Sequence, residues 1–255
     1  MNSKELKDFL DYKAAMYEQP HFLEHDPIQI PHLFKKKEDI EIAGFLVSSI
    51  AWGNRITIIK SGKLILELMG NDPYHFVMYH TKKDLAPFSN FVHRTFNGPD
   101  LSYFIKALKH LYSKHNGLEA AFSKTLTNNR LDKNIHEFRN SFFELKHEKR
   151  TEKHVADPFK GSAAKRINMF LRWMVRDSKK GVDFGIWKKI SPAQLSCPLD
   201  VHSGNVARNL GLLNRKQNDQ KAVEELDLCL RKFDPNDPVK YDYALFGLGV
   251  FEGLK

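Results

Sequence analysis

The chain has 255 residues, 42% of them hydrophobic and 28% charged, the balance of an ordinary globular protein large enough for one big domain or two lobes. Lys and Arg number 40 against 31 Asp and Glu, and a net charge of +9 favours a polyanionic partner. Two cysteines, Cys197 and Cys229, are too few for a disulfide framework, a four-thiolate zinc site or an iron–sulfur cluster, and the longest apolar run, residues 42–52, falls short of a membrane span.

Residues 1–8 are charged throughout and show no apolar leader core, so the expectation is a cytoplasmic protein. Helical spacing then dominates. Leu6, Phe9 and Leu10 open an amphipathic helix reaching about Tyr17. The stretch 20–37 contains Pro20, Pro27 and Pro31 and cannot be one uninterrupted helix. A second helix is expected from Asp39, a plausible N-cap, with Ile42, Phe45, Leu46 and Ser49 on one face. The turn Trp52-Gly53-Asn54 leads into a helix that carries Ile56, Ile59, Leu64 and Leu68 and ends near Gly70.

Further helical patterns cover residues 101–113, 118–125 and 134–145, before a charged stretch at 146–153. From Ser162, which reads as the N-cap, Ile167, Phe170, Leu171 and Met174 share one face of a helix. Lys165, Arg172 and Arg176 lie on the opposite, polar face. Asp200 precedes a helical stretch, 201–210, closed by Gly211, and another helix lies near 222–232. Asp237-Pro238 reads as an N-cap and first-turn proline ahead of an apolar closing helix. Alternating β-branched runs are missing, so the expected class is all-α.

Three segments, in order, carry a family resemblance. They are Ser48-Ser49-Ile50-Ala51-Trp52-Gly53-Asn54-Arg55-Ile56-Thr57, Lys160-Gly161-Ser162-Ala163-Ala164-Lys165-Arg166-Ile167-Asn168-Met169-Phe170 and Pro198-Leu199-Asp200-Val201-His202-Ser203-Gly204-Asn205-Val206-Ala207-Arg208. Together they resemble the helix-hairpin-helix DNA glycosylase superfamily, nearest in motif to the 8-oxoguanine glycosylase/AP lyases. As a whole, the chain also looks like a bacterial family of uncharacterised proteins carrying the same segments. The resemblance implies a two-lobed helical fold, one glycosylase-like unit over 1–255 with a DNA-facing cleft between the lobes. The middle lobe would cover about 40–192, and the second would combine 1–39 with 193–255.

What the resemblance implies for the site is specific. Lys165 would be the amine nucleophile and Asp200 the carboxylate that stabilises positive charge on the sugar or activates the amine. A first-turn position places Lys165 where the helix dipole disfavours a cation. Lys160, Gly161 and Ser162 would hold a backbone phosphate, although the second glycine usual in such a hairpin is Ala163 here. His202 would contact a phosphate or orient Asp200. Arg55 would read the opposing base, with Asn54 beside it and Trp52 as an apolar wedge. Tyr243 and Phe246 would wall the pocket for a flipped base. Each residue also has a plain structural use: Lys165 as a solvated surface cation, Asp200 as a helix cap, Trp52 and the closing helix as core.

The expected function is therefore excision of a damaged, 8-oxoguanine-like purine with a Lys-dependent AP lyase step, by a monomer acting on duplex DNA, away from membranes. No cofactor is implied, and a monovalent cation at the hairpin is compatible with the resemblance. The principal rival is a non-catalytic DNA- or RNA-binding protein on a degenerate glycosylase scaffold. His21 and His25 stand four apart and Asp26 follows His25, but without HExxH, in a proline-broken segment and with no further carboxylate–histidine cluster at sensible spacing, they make a weak case for a metallohydrolase.

Overall fold

Proline and the capping residues divide the chain into many short elements. The computed structural model describes residues 1–125, 130–177 and 179–254, and these are all-α apart from one small hairpin. The first helices are α1 (Ser3–Tyr17), α2 (Lys37–Ser49), α3 (Arg55–Leu68), α4 (Pro73–Tyr79), α5 (Gly98–Lys114), α6 (Gly117–Phe122) and α7 (Asp132–Phe142). After these come α8 (Lys165–Val175), α9 (Val201–Asn209), α10 (Gln220–Phe233) and α11 (Tyr241–Val250). Strands β1 (Val92–His93) and β2 (Phe96–Asn97) pair antiparallel, Val92 opposite Asn97. The proline-rich stretch forms three successive 3₁₀ turns, Pro20–His25, Pro27–Gln29 and Pro31–Leu33. Among the described residues no helix is long and apolar enough to cross a membrane.

The chain divides into two compact units. One contains Met1–Phe22, Leu126–Lys133 and Asp157–Lys255, and the other Leu23–Thr125 and Asn134–Ala156. The boundary expected near 39/40 lies within the second unit and that near 192/193 within the first, where ion pairs tie residues 172–183 to the end of α1 and to α11. Arg176 pairs with Glu18 and Arg172 with Asp242.

In the second unit α2 is the central element. It is apolar on nearly all sides, and residues 39–49 are all buried. Phe45 meets Phe104, Phe138 and Phe142 at ring separations of 5.4–5.9 Å, in stacked, edge-on and tilted arrangements. Where α3 crosses, Gly62 leaves room for Ile30 and Val47, since an added Cβ would stand 2.5 Å from Ile30 Cδ1. Asp39 does not cap α2. The helix begins one turn earlier, after Lys36, and the Asp39 carboxylate instead accepts a hydrogen bond from the Tyr74 amide at 2.8 Å. Neither α4 nor the hairpin follows from the sequence pattern.

In the first unit α11 packs between α1 and α9. Leu10, Ala14, Val206, Ala207, Leu226, Tyr241, Leu245 and Leu248 are among the buried side chains of its core. Gly247 permits the closest crossing: a Cβ there would stand 2.0 Å from the Tyr17 ring. Asp237 occupies the N-cap position before the 3₁₀ turn Pro238–Lys240, as expected, but its side chain makes no cap hydrogen bond. Arg176 takes its carboxylate instead, at 2.8–2.9 Å.

Candidate active site

Lys165 is the first residue of α8. Its Nζ lies 3.7 Å from Asp200 Oδ2, and each side chain is 29% exposed. The amine also points at Met169 Sδ, one helical turn on, at 3.7 Å. The two motif residues are thus brought together, 35 positions apart in sequence, at a place solvent can reach.

Backbone contacts fix Asp200. It is the N-cap of α9 and its carboxylate accepts from the amides of His202 (2.9 Å) and Ser203 (3.1 Å), while Ser203 Oγ accepts from the Asp200 amide to complete a capping box. Asn218 Nδ2 donates to the Asp200 carbonyl at 2.9 Å. Upstream, the Cys197 amide donates to the buried Asp227 at 3.0 Å. The turn into α9 is therefore held at both ends, and the cap and a role in the site are compatible.

Lys165 is reached differently from the sequence expectation. Ser162 does not cap α8. The N-cap is Ala164 in the left-handed region (φ 46°), with no side-chain cap, and Ser162 Oγ accepts from the Ala164 amide at 3.2 Å. A non-glycine residue at positive φ, itself buried, precedes the candidate nucleophile. Gly161 is also left-handed (φ 82°), exposed, and has no atom within 4 Å of where a Cβ would sit. Lys160 is exposed beside it. The amides of Lys160, Gly161 and Ser162 turn inward to the carbonyls of Asp157, Pro158 and Asp157. A phosphate at this hairpin would therefore meet side chains and the uncapped start of α8 before those amides.

Beyond Lys165, the polar face of α8 is not solvated. Arg172 and Arg176 are buried because carboxylates from four other segments meet them. Arg172 pairs with Asp242 and with Asp183 (3.3 Å), and Arg176 with Glu18, Asp183 (3.2 Å) and Asp237 (2.8 Å). Two guanidiniums serve four carboxylates, so burial outweighs charge pairing at several of the acids and raises Asp183 and Asp237 above the usual carboxylate range.

Asp242 is the member that reaches the candidate site. Burial is the largest cause raising it; Arg172 and Lys165 pull it down, the Asp200 charge pushes it up, and it settles at about 6. The Cys197 thiol donates to it at 3.7 Å, and burial pushes that thiol well up, away from thiolate chemistry. Sequence patterning offers no signal for Asp242, which stands in an apolar closing segment.

The remaining motif residues are placed as follows. His202 is exposed on the first turn of α9, its Cβ against the position of a Gly249 side chain. Phe246, on α11, is half-buried with its ring edge-on to Phe22 and Phe251. Tyr243 offers no stacking face: it is fully buried, with Arg172 4.3 Å over its ring and Phe22 5.3 Å away edge-on. In the second unit Asn54 caps α3 by accepting from the Thr57 amide, and Arg55 lines a groove of about 250 Å³ with Glu24, His25, Gln29, Ile56 and Ile59. Trp52 is half-buried, edge-on to His93 at 5.3 Å and stacked on His154 at 5.9 Å. Among the described residues, metal-type donors converge at His110, His115 and Glu144 of the second unit.

One family matches the chain, over residues 26–251, and its description is "Protein of unknown function (DUF2400)". Neither the curated proteins nor the solved structures contain a match.

Proposed function

The chain belongs to the DUF2400 family of proteins of unknown function, and from its Lys165–Asp200 pair we propose that it is a DNA repair glycosylase of the helix-hairpin-helix type with AP lyase activity, acting on a damaged purine. The observation that carries this reading is the 3.7 Å approach of an accessible lysine amine to a carboxylate fixed by two backbone amides. That is the pair of groups amine-based base excision requires.

In the proposed reaction Asp200 accepts a proton from the Lys165 ammonium, leaving a neutral amine. Nζ bonds to C1′ as the glycosidic bond breaks, and the base leaves with the electron pair and takes up a proton. The proton taken by Asp200 passes to the departing base, so the carboxylate, held by the start of α9, is again charged where positive charge develops on the sugar. The attached Nζ then gives up one proton, and the sugar ring opens with O4′ leaving C1′ and taking up that proton, which gives the protonated imine. Removal of a C2′ proton then expels the 3′ phosphate and cuts the strand. Lys160, the open Gly161 and Ser162 would meet a backbone phosphate, and Phe246 rather than Tyr243 would stack on the flipped base. The net charge of +9 suits a polyanionic partner. The scheme uses no cofactor.

The test is incubation of the full chain with duplex oligonucleotides carrying 8-oxoguanine, other oxidised or alkylated purines, or an abasic site. Strand cleavage at the abasic site that Lys165→Gln abolishes supports the reading. Salt-sensitive binding with neither base release nor cleavage on any of these duplexes contradicts it and favours a non-catalytic nucleic-acid-binding scaffold.

A further inference from the structure

In the second unit, three side chains outside the Lys165 site bring metal-type donors together. His110 lies in the last turns of α5 and His115 is its C-cap residue, while Glu144 follows the end of α7. Both imidazole Nε2 atoms converge on one carboxylate oxygen: His110 Nε2 is 2.7 Å and His115 Nε2 3.1 Å from Glu144 Oε2, and all three donor atoms lie within 4.8 Å of one another. The imidazoles are partly sheltered, 21% and 18% exposed, and the carboxylate faces outward at 44%.

The carboxylate is positioned by more than this contact. Tyr103 of α5 donates its hydroxyl to the Phe142 carbonyl at 2.8 Å and to the Leu145 carbonyl at 3.4 Å, bracketing Glu144 on both sides. The Tyr103 ring stacks on Phe143 at 5.6 Å with planes 6° apart. The turn that carries Glu144 is thus bonded to the same helix that carries His110. At the other end, Asn116 takes the left-handed conformation (φ 58°) directly after His115, ending α5 there. α5 therefore ends at His115, two residues before α6 begins, and Glu144 stands two residues past the end of α7.

We propose that His110, His115 and Glu144 form a binding site for a zinc-class divalent ion, with the fourth coordination position left to water. Two imidazoles and one carboxylate suit zinc, copper, nickel or cobalt and are a poor set for magnesium or calcium, which take oxygen ligands. A tetrahedral ion with bonds of about 2.0–2.1 Å separates its ligand atoms by roughly 3.3 Å. The three donors reach that arrangement by shifts of about 1 Å or less, within the freedom of partly exposed side chains. The bound ion would clasp the end of α5 to the segment after α7. This site is independent of the Lys165 chemistry.

The test uses the full chain with zinc, and with cobalt(II) as a spectroscopic probe. The wild type is expected to bind one ion at this site and to give the visible absorption of tetrahedral cobalt(II). His110→Ala and Glu144→Gln, with circular dichroism unchanged, should weaken binding by at least about tenfold each. A measurement on the wild type alone guards against a variant that fails to fold: zinc should slow diethylpyrocarbonate modification of His110 and His115 while leaving the exposed His21 unaffected. Absence of zinc binding, or binding that both substitutions leave unchanged with His110 and His115 unprotected, would overturn the proposal and leave only a histidine–glutamate ion pair.

Discussion

Replacing Asp242 by asparagine tests whether the buried carboxylate behind the Lys165–Asp200 pair is dominated by burial or by its arginine. Its folded value is about 6 against an ordinary 3.8, a gap of about two pH units. At 1.36 kcal/mol per unit this is ~3 kcal/mol of linked stability. The folded state holds the proton more tightly than the unfolded chain does. The contribution is therefore fully present below about pH 4 and is lost as the pH rises through about 6. Asparagine stays neutral and retains the shape of the protonated acid. Relative to wild type, Asp242→Asn should thus gain about 2.4 kcal/mol of this between pH 4 and pH 7, whatever offset it starts from. Asp237, which pairs with Arg176, cancels to first order in the difference, whereas Asp183 shares Arg172 with Asp242 and should be less raised in the variant, which adds to the gain in the same direction. Urea unfolding of both proteins at several pH values and constant ionic strength measures it. A flat difference would mean an ordinary carboxylate. A difference falling with pH would mean that pairing with Arg172 outweighs burial, and either result would refute the reasoning.

Three further outcomes follow from named contacts. Gly247→Ala should destabilise the first unit by about 1–3 kcal/mol despite alanine's better helix propensity, because the new Cβ would stand 2.0 Å from the Tyr17 ring; denaturant unfolding that shows equal or greater stability contradicts that crossing. Asp200→Asn preserves the cap and Asp200→Ala removes it, so the alanine variant should be less stable by about 1 kcal/mol while both lose strand cleavage. Cleavage that survives in either variant would reduce Asp200 to a helix cap. Lys160→Ala should lower the slope of log binding constant against log salt by about 1 on duplex DNA, and an unchanged slope would take the hairpin out of the phosphate contact.

The long helices were legible because their apolar residues recur at helical spacing and their ends carry readable signals, as with Asn54 before α3 and Asp200 before α9. The pairing of Lys165 with Asp200 followed from a family resemblance, not from periodicity. What escaped was set by tertiary partners. Arg172 and Arg176 look like a solvated face until Glu18, Asp183, Asp237 and Asp242 are seen around them, from segments that no local pattern connects. Asp39 resembles a cap but serves the Tyr74 amide, and Ser162 gives way to Ala164 in a left-handed conformation that local sequence would assign to glycine. The β1–β2 hairpin turns through Arg94 at φ 56° without glycine or asparagine, so its turn signal is missing. His110, His115 and Glu144 meet across a gap of about 30 residues that no metal-ligand motif spans.

Borohydride trapping on a duplex carrying an abasic site tests the central claim most directly, because reduction fixes an imine between Lys165 Nζ and C1′ as a stable covalent adduct. Wild type should give a protein–DNA adduct that maps to Lys165 by peptide mass spectrometry and is lost in Lys165→Gln, with the variant still folded and still binding the duplex. An adduct of equal yield in Lys165→Gln, or no adduct from a wild-type protein that binds the same duplex, would contradict the assignment of Lys165 as the nucleophile.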